Sequence, residues 1–302
     1  MSAQSAVRVP SRGNGAAQAA PPATAWGARL RGRMSAARRS WRRLVLVGIV
    51  LSYVGVIVVA PLAALVAGAL SQGWGAVKSA LADPAVAGAF LLTLQISLIT
   101  VAVTGTFGAL VAWMLVRYPV PGRRIINGLI DLPFALSSVV VGFTLILLFG
   151  RLGPLYHLEY VLGLRIVFAV PGMVLATIFV TLPFMIRELM PVIMGLDREQ
   201  ERAAATLGAR PWQTFLLVSL PALRWAILYG LVLTFARALG EFGAVLVVGN
   251  DIQGLTETVP LFIYRALANR DAGGAYTVAL LLGALSLMLA VGIEWLRRFQ
   301  RR

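Results

Sequence analysis

The side chains with chemical capacity in this sequence are few and unevenly placed. Lys78 is the only lysine, His157 the only histidine, and cysteine is absent. A phosphate cradle of the G-x-x-x-x-G-K-[ST] type needs its lysine beside a glycine-rich turn that opens a helix, whereas Lys78 stands in "GWGAVKSA". The chain therefore carries no P-loop with which to hydrolyse ATP. One histidine and no thiol argue against a multi-histidine or Cys-ligated metal centre and against a Ser-His nucleophile in its usual form. The missing cysteines say nothing about redox compartment.

Two ionisable residues lie inside an apolar run: Arg237 and Glu241, four apart in "FARALGEFG". On one helix they share a face, and an unpaired charge in hydrocarbon costs about 2.5–3.5 kcal/mol or more, so they are expected to neutralise each other. Arg before Glu is the weaker order for such a helical pair, which suggests that helix stability is not their purpose. Asp131, before "LPF", is expected to cap a helix whose first turn holds Pro133. Ser137, Ser138, Thr144, Thr177 and Thr181 can line a pore or bond back to their own helices. The glycines of "GEFGAVLVVG" suit close helix packing.

A third group is "EQERAAATLGARPWQTFLLVSLP", residues 199 to 221, the one long polar stretch in the apolar second half. Asp197 can cap a helix whose first turns hold Glu199 and Glu201, and Gly208 can end it in a left-handed conformation. Pro211 then opens a second helix, expected to stop at Pro221. Ala203, Ala204 and Ala205 let another protein's groove approach the backbone, while Trp212 and Phe215 can anchor the second helix to a membrane domain. The alternative is a loop that rests on lipid headgroups.

The elements that must position these groups follow from composition. Of 302 residues, 59% are hydrophobic and 13% charged, and the mean hydropathy is +0.83, values of a polytopic membrane protein. Apolar runs long enough to cross a bilayer lie near 44–70, 88–116, 125–150, 167–190, 225–249 and 275–296. With both termini in the cytoplasm, twenty-one Arg fall on inside segments against five Arg or Lys outside, as the positive-inside rule requires. The net charge of +15 thus reflects topology and not nucleic-acid binding. Residues 1–43 read as a disordered basic tail, 44–296 as the membrane domain with a cytoplasmic loop at 191–224, and 297–302 as a second basic tail. The first apolar stretch exceeds a signal-peptide core and is expected to be an uncleaved helix. Nothing here points to secretion.

"RAAATLG" followed by "FLLVSLP" resembles the EAA loop of bacterial ABC importer permeases, with Ala203, Ala204, Gly208, Leu220 and Pro221 at matching spacing. "LADP", "RYPVPGRR", "DLPFALSSVVVGF", "PGMVLATIFVTLPFMIREL", "RWAILYGLVLTFARALGEFGAVLVVG" and "TETVPLFIY" extend the resemblance to the sulfate/thiosulfate permeases, most closely their W-type subunit. The resemblance implies an all-α type I importer fold with six transmembrane helices in the bacterial inner membrane. It implies a related second permease as heterodimeric partner, an ABC ATPase dimer that holds the ATP and Mg, and a periplasmic sulfate-binding protein; membrane lipid surrounds the chain. This chain itself is expected to hold no cofactor and to be no enzyme.

The family's coupling contact with the ATPase maps onto Glu201, Arg202, Ala203, Ala204, Gly208 and Ala209. Arg202 stands where the family has Glu, so either Glu201 substitutes or the partner offers Arg202 an acid. Ser138 stands where the family has Pro, which puts a helix break there in question. Ser137, Ser138, Arg237 and Glu241 are candidates for a translocation path or gate. A bridging role for Arg237 and Glu241 is the stronger reading, since a strong fixed cationic site would hold a tetraoxyanion too tightly to release it. A molybdate or tungstate permease is the near alternative and an ion-coupled secondary transporter the remote one; no repeat between the halves supports the latter.

Overall fold

The computed structural model describes residues 23–71 and 73–300, and no strand occurs among them. In chain order the helices are α1 (Ala23–Ser71), α2 (Gly73–Ala82), α3 (Pro84–Arg117), α4 (Arg123–Ala135), α5 (Ser138–Phe149), α6 (Tyr156–Leu162), α7 (Val170–Gly195), α8 (Arg198–Thr206) and α9 (Pro211–Thr214). A π-helical turn, Phe215–Ser219, leads into α10 (Leu220–Leu239), followed by α11 (Gly243–Gly249), α12 (Val259–Ala268) and α13 (Ala272–Gln300). Residues 1–22 lie outside the described residues, and the tail expected up to residue 43 is helical from Ala23.

The described residues fall into two compact units, one ending at Leu62 and one beginning at Ala63. In the first, the apolar side chains from Leu44 to Leu62 are exposed, the surface of a helix meant for hydrocarbon. In the second, α3, α7 and α10 pack around Ala112, Leu115, Met185, Ile186, Leu189, Leu223 and Ala226. Gly108 makes the approach possible, because a Cβ there would stand 3.0 Å from Met185 Cγ. The "LADP" motif starts α3: Asp83 accepts from the Ala85 N–H at 2.8 Å and Pro84 occupies the first turn. Tyr118, extended before Pro119, ends it.

Among the described residues five helices are long and apolar enough to cross a membrane, and a sixth crossing exists if the pair α4 and α5 counts as one. That pair is bent by 112°, so the straight span expected over 125–150 is two helices. Pro133 offers no N–H to the last turn of α4, and Leu136 and Ser137 follow in extended conformation. The break therefore survives without a proline at Ser138. The expected span over 225–249 also changes: its crossing helix begins at Pro211 and stops at Leu239, and Gly240–Phe242 separates it from α11. Pro221 does not stop a helix. The π turn ahead of it lets the Leu220 N–H bond Phe215 O, and the helix continues. Asp131 caps nothing; it lies inside α4, with Gly122 at the N-cap, and pairs with Arg187.

The short helix α12 buries Val259, Leu261, Phe262 and Ala266, with Val259, Phe262 and Ala266 packed against Val86, Ala89, Ala275 and Val278. Thr93 accepts from the Val259 N–H at 2.9 Å and donates to Ala89 O at 2.7 Å. The preceding loop holds two carboxyls, a half-buried Asp251 and a buried Glu257. Burial pushes Glu257 above the ordinary carboxylate range although Arg265 bonds it and pulls the other way, and Asp251 is raised by burial against the same arginine.

Two outcomes follow from this packing. A Cβ at Gly142 would fall 2.8 Å from Val247 Cβ and 2.9 Å from Ala244 O, so Gly142→Val is expected to cost about 1–3 kcal/mol through overpacking. Gly88, with open space around it, takes Ala at no such cost in a detergent thermal melt. The raised carboxyls set a sign for pH: their stabilising share is complete below the unfolded carboxylate range and is lost as pH rises through the raised folded values. Glu257→Gln should flatten the fall in melting temperature across that rise relative to the parent chain.

Candidate functional site

The structure gathers the expected path residues into one seam. Arg237 lies in the last turn of α10, and Glu241 lies past its end, in the break before α11. The two do not share a helix. Arg237 Nη1 stands 2.8 Å from Glu241 Oε2, and Glu241 Oε1 accepts from the Ala244 N–H at 3.2 Å. The charge order is now favourable, because the cation sits at the negative end of α10 and the carboxylate at the positive end of α11. Glu241 is buried, with 1% of its side chain exposed, while Arg237 keeps 34%. One charge anchors the break and the other faces outward.

Ser138 meets this break directly. A Cβ on Gly243 would stand 2.5 Å from Ser138 Oγ and 3.2 Å from the Val139 nitrogen, so only glycine lets the start of α5 close on the start of α11. Ser137, the N-cap of α5, is exposed and makes no side-chain capping bond. Below the seam Val141, Ala176, Val180, Ala244 and Val248 form a dry core. Thr144, Thr177 and Thr181 return to their own helices, donating to Val140 O, Met173 O and Thr177 O at 2.7–2.9 Å. Thr177 and Thr181 are also fully buried, which removes them from any path surface.

The loop at 196–219 forms the second half of the site. Asp197 accepts from the Glu199 N–H at 2.9 Å and starts α8. At its end Gly208 has φ +87, the Gly208 N–H bonds Ala205 O and the Ala209 N–H bonds Ala204 O, each at 3.0 Å. These two bonds make a Schellman cap, whose left-handed residue only glycine adopts without strain. Pro211 opens α9, and the Gln213 side chain accepts from the Arg210 N–H at 2.8 Å. Trp113 and Phe215 meet edge to face at 5.0 Å, so Phe215 anchors the loop as expected, whereas Trp212 is exposed.

The six coupling residues divide between two faces. Arg202, Ala203 and Gly208 are exposed, and Ala204 and Ala209 are half-buried. Arg202 is 70% exposed and pairs only with Glu199 of its own helix, at 2.6 Å. Glu201 points the other way. Its Oε1 accepts from Arg117 Nη2 at 2.7 Å and from Ser219 Oγ at 2.8 Å, with 22% of its side chain exposed. The side chain that sequence would offer in place of the family's Glu is therefore engaged inside the chain.

Sequence reasoning missed Arg117, Ser219 and Arg187. Arg117 and Arg187 entered only as inside positive charges, and their partners lie 84 and 56 residues away. Arg187 binds Asp131 through two nitrogens, at 2.8 and 2.6 Å, and reaches Asn127 O at 3.3 Å. The one available signal was that each charge sits within a helical stretch and not in a loop.

Comparison with known proteins places this geometry. The family described as binding-protein-dependent transport system inner membrane component matches residues 104–302. The sulfate transport system permease protein CysW of Synechococcus elongatus is 45% identical over 251 residues, 82% of this chain and 87% of that protein. The protein of the same name from Escherichia coli is 42% identical over 85% of this chain and 89% of its own length. Among solved structures, a subunit of a bacterial alginate ABC transporter in complex with its pentasaccharide-bound periplasmic protein overlays with a TM-score of 0.73, covering 85% of this chain and 93% of that one at 17% identity. The shared fold is the type I importer fold. The chain belongs to the inner-membrane permease family of binding-protein-dependent ABC importers.

Proposed function

We propose that this chain is the translocating subunit of a sulfate importer, a six-crossing permease of the bacterial inner membrane with both termini in the cytoplasm. The observation that carries the substrate is the 45% identity across 82% of the chain to a sulfate permease. The orientation is supported by the excess of arginine on the segments placed inside. ATP and Mg belong to a separate ABC ATPase dimer, a periplasmic binding protein delivers the anion, and a related second permease completes the path as a heterodimer.

Within this assembly the exposed face of α8 is the docking surface for the ATPase, formed by Arg202, Ala203 and the Gly208 cap. Arg202 meets an acid of the partner, because the free face of this helix offers a cation where relatives of its loop type offer Glu. Ser137, Ser138 and Arg237 border the path, and Glu241, buried behind Arg237, acts on it only through that arginine. Arg237 supplies a cation already balanced by Glu241, which attracts a dianion without trapping it. The chain contributes no reacting group.

Reconstitution with the ATPase, the second permease and the binding protein in liposomes tests the reading. ATP-dependent uptake of labelled sulfate that a hundredfold excess of molybdate leaves nearly unchanged is the expected result. Preferred uptake of molybdate reassigns the anion, and uptake driven by an ion gradient without ATPase overturns the class. Separately, Arg202→Glu should lower ATPase co-purification about tenfold or more, and Arg210→Glu much less. Equal retention of the ATPase by both variants would remove Arg202 from the contact.

A further inference from the structure

Helix α8 buries no apolar side chain against the rest of the chain. Neither α8 nor α9 contains a buried residue, and a hollow of about 500 Å3, bordered by Trp113, Tyr118, Glu201, Trp212, Phe215 and Ser219, lies beneath them. An element that must pass on a push is thus held by something other than hydrophobic packing. The candidates are its two chain ends and the bonds of Glu201.

Those bonds converge. One carboxylate oxygen of Glu201 accepts from Arg117 at the end of α3 and from Ser219 at the end of the π turn, at 2.7 and 2.8 Å. Arg117 is 8% exposed and its guanidinium stacks over Trp113, one turn back, at 5.0 Å. Trp113 in turn meets Phe215 of the π turn. The circuit closes: α8 to α3 through an ion pair, α3 to the π turn through two rings, and the π turn to α8 through a hydroxyl. Helix α3 then packs along α7 and α10, whose far end carries Arg237.

We infer that Arg117, Glu201, Ser219 and Trp113 form a transmission clamp that fixes the coupling helix to α3, with Glu201 and Arg117 as its positioning residues. The inference rests on the reading that the ATPase engages α8. Charge-assisted bonds that are mostly shielded from water are short and directional, so the clamp transmits displacement where a soft apolar contact would slip. A neutral amide at 201 keeps size and one hydrogen bond but loses the ionic restraint. Glu201 is thereby a link within this chain, in contrast to Arg202 on the opposite face.

Two measurements test the clamp, one of them independent of the transported anion. The chain has no cysteine, so Met114→Cys and Thr206→Cys, both exposed positions, accept nitroxide labels without further changes. Electron spin resonance of the assembled complex should give a narrow distance distribution in the parent, a distribution at least twice as broad in Glu201→Gln, and a narrow one again in the exchanged pair Arg117→Glu with Glu201→Arg. In liposomes, sulfate taken up per ATP hydrolysed should fall about tenfold in Glu201→Gln, less in Ser219→Ala, and recover at least partly in the exchanged pair. A distribution in Glu201→Gln as narrow as the parent's, or an unchanged uptake per ATP, overturns the clamp. If the parent complex hydrolyses ATP yet moves no sulfate, the substrate reading fails, and the spin-label distances alone decide the clamp.

Discussion

A charge in hydrocarbon has to find its counter-charge inside the protein, and the break between α10 and α11 depends on that requirement. Glu241 is nearly sealed from solvent, so its carboxylate is tolerable only because Arg237 stands beside it and a backbone N–H of α11 points at it. The same two bonds hold the ends of two helices together where the ladder of backbone bonds is interrupted. Once that break is fixed, α11 is fixed against α5 through Gly142 and Gly243, and the bend between α4 and α5 has a floor to rest on. Irregular backbone in a membrane protein is permitted where protein covers it, and here the starts of α5 and α11 close on each other.

The polar loop at 196–219 solves a different problem with similar means. There the backbone groups at the end of α8 are closed by the glycine cap and water is near, so nothing forces burial. The outer face can therefore stay exposed, with Arg202 and Ala203 on it, while the inner face uses a single carboxylate to bind two separate elements. The seam and the polar loop thus share a feature: one buried or half-buried carboxylate, Glu241 in the first and Glu201 in the second, bridges separate elements.

Much of this was legible in the residues, and the exceptions have physical reasons. Hydropathy located the crossings because lipid leaves few alternatives to a long apolar helix. Asp197, Gly208 and Pro211 announced the polar loop because caps and turns are local chemistry. The breaks were not legible: "DLPFALSSVVVGF" and "ARALGEFGAVL" carry only isolated polar residues within apolar runs, and hydropathy does not distinguish a straight crossing from a bent one. Pro221 misled because a proline's missing N–H can be absorbed by a π turn, which depends on what surrounds it. Asp131 misled because its partner, Arg187, is remote in sequence. Of the site, the pairing of Arg237 with Glu241 was foreseen, but the helix end between them was not, and that end reverses the argument about their order. The inward turn of Glu201 needed Arg117, which nothing local could supply.

The π turn at Phe215–Ser219 has a geometric meaning of its own. It accommodates one residue more than an α-helical path of the same rise, and each residue of an α-helix turns the chain by about 100°. The azimuth at which α8 and its exposed alanines leave the bundle is therefore set by a count and not by packing alone. The wide turn works as a washer beneath the coupling loop, with a thickness of one residue that decides which way the loop faces.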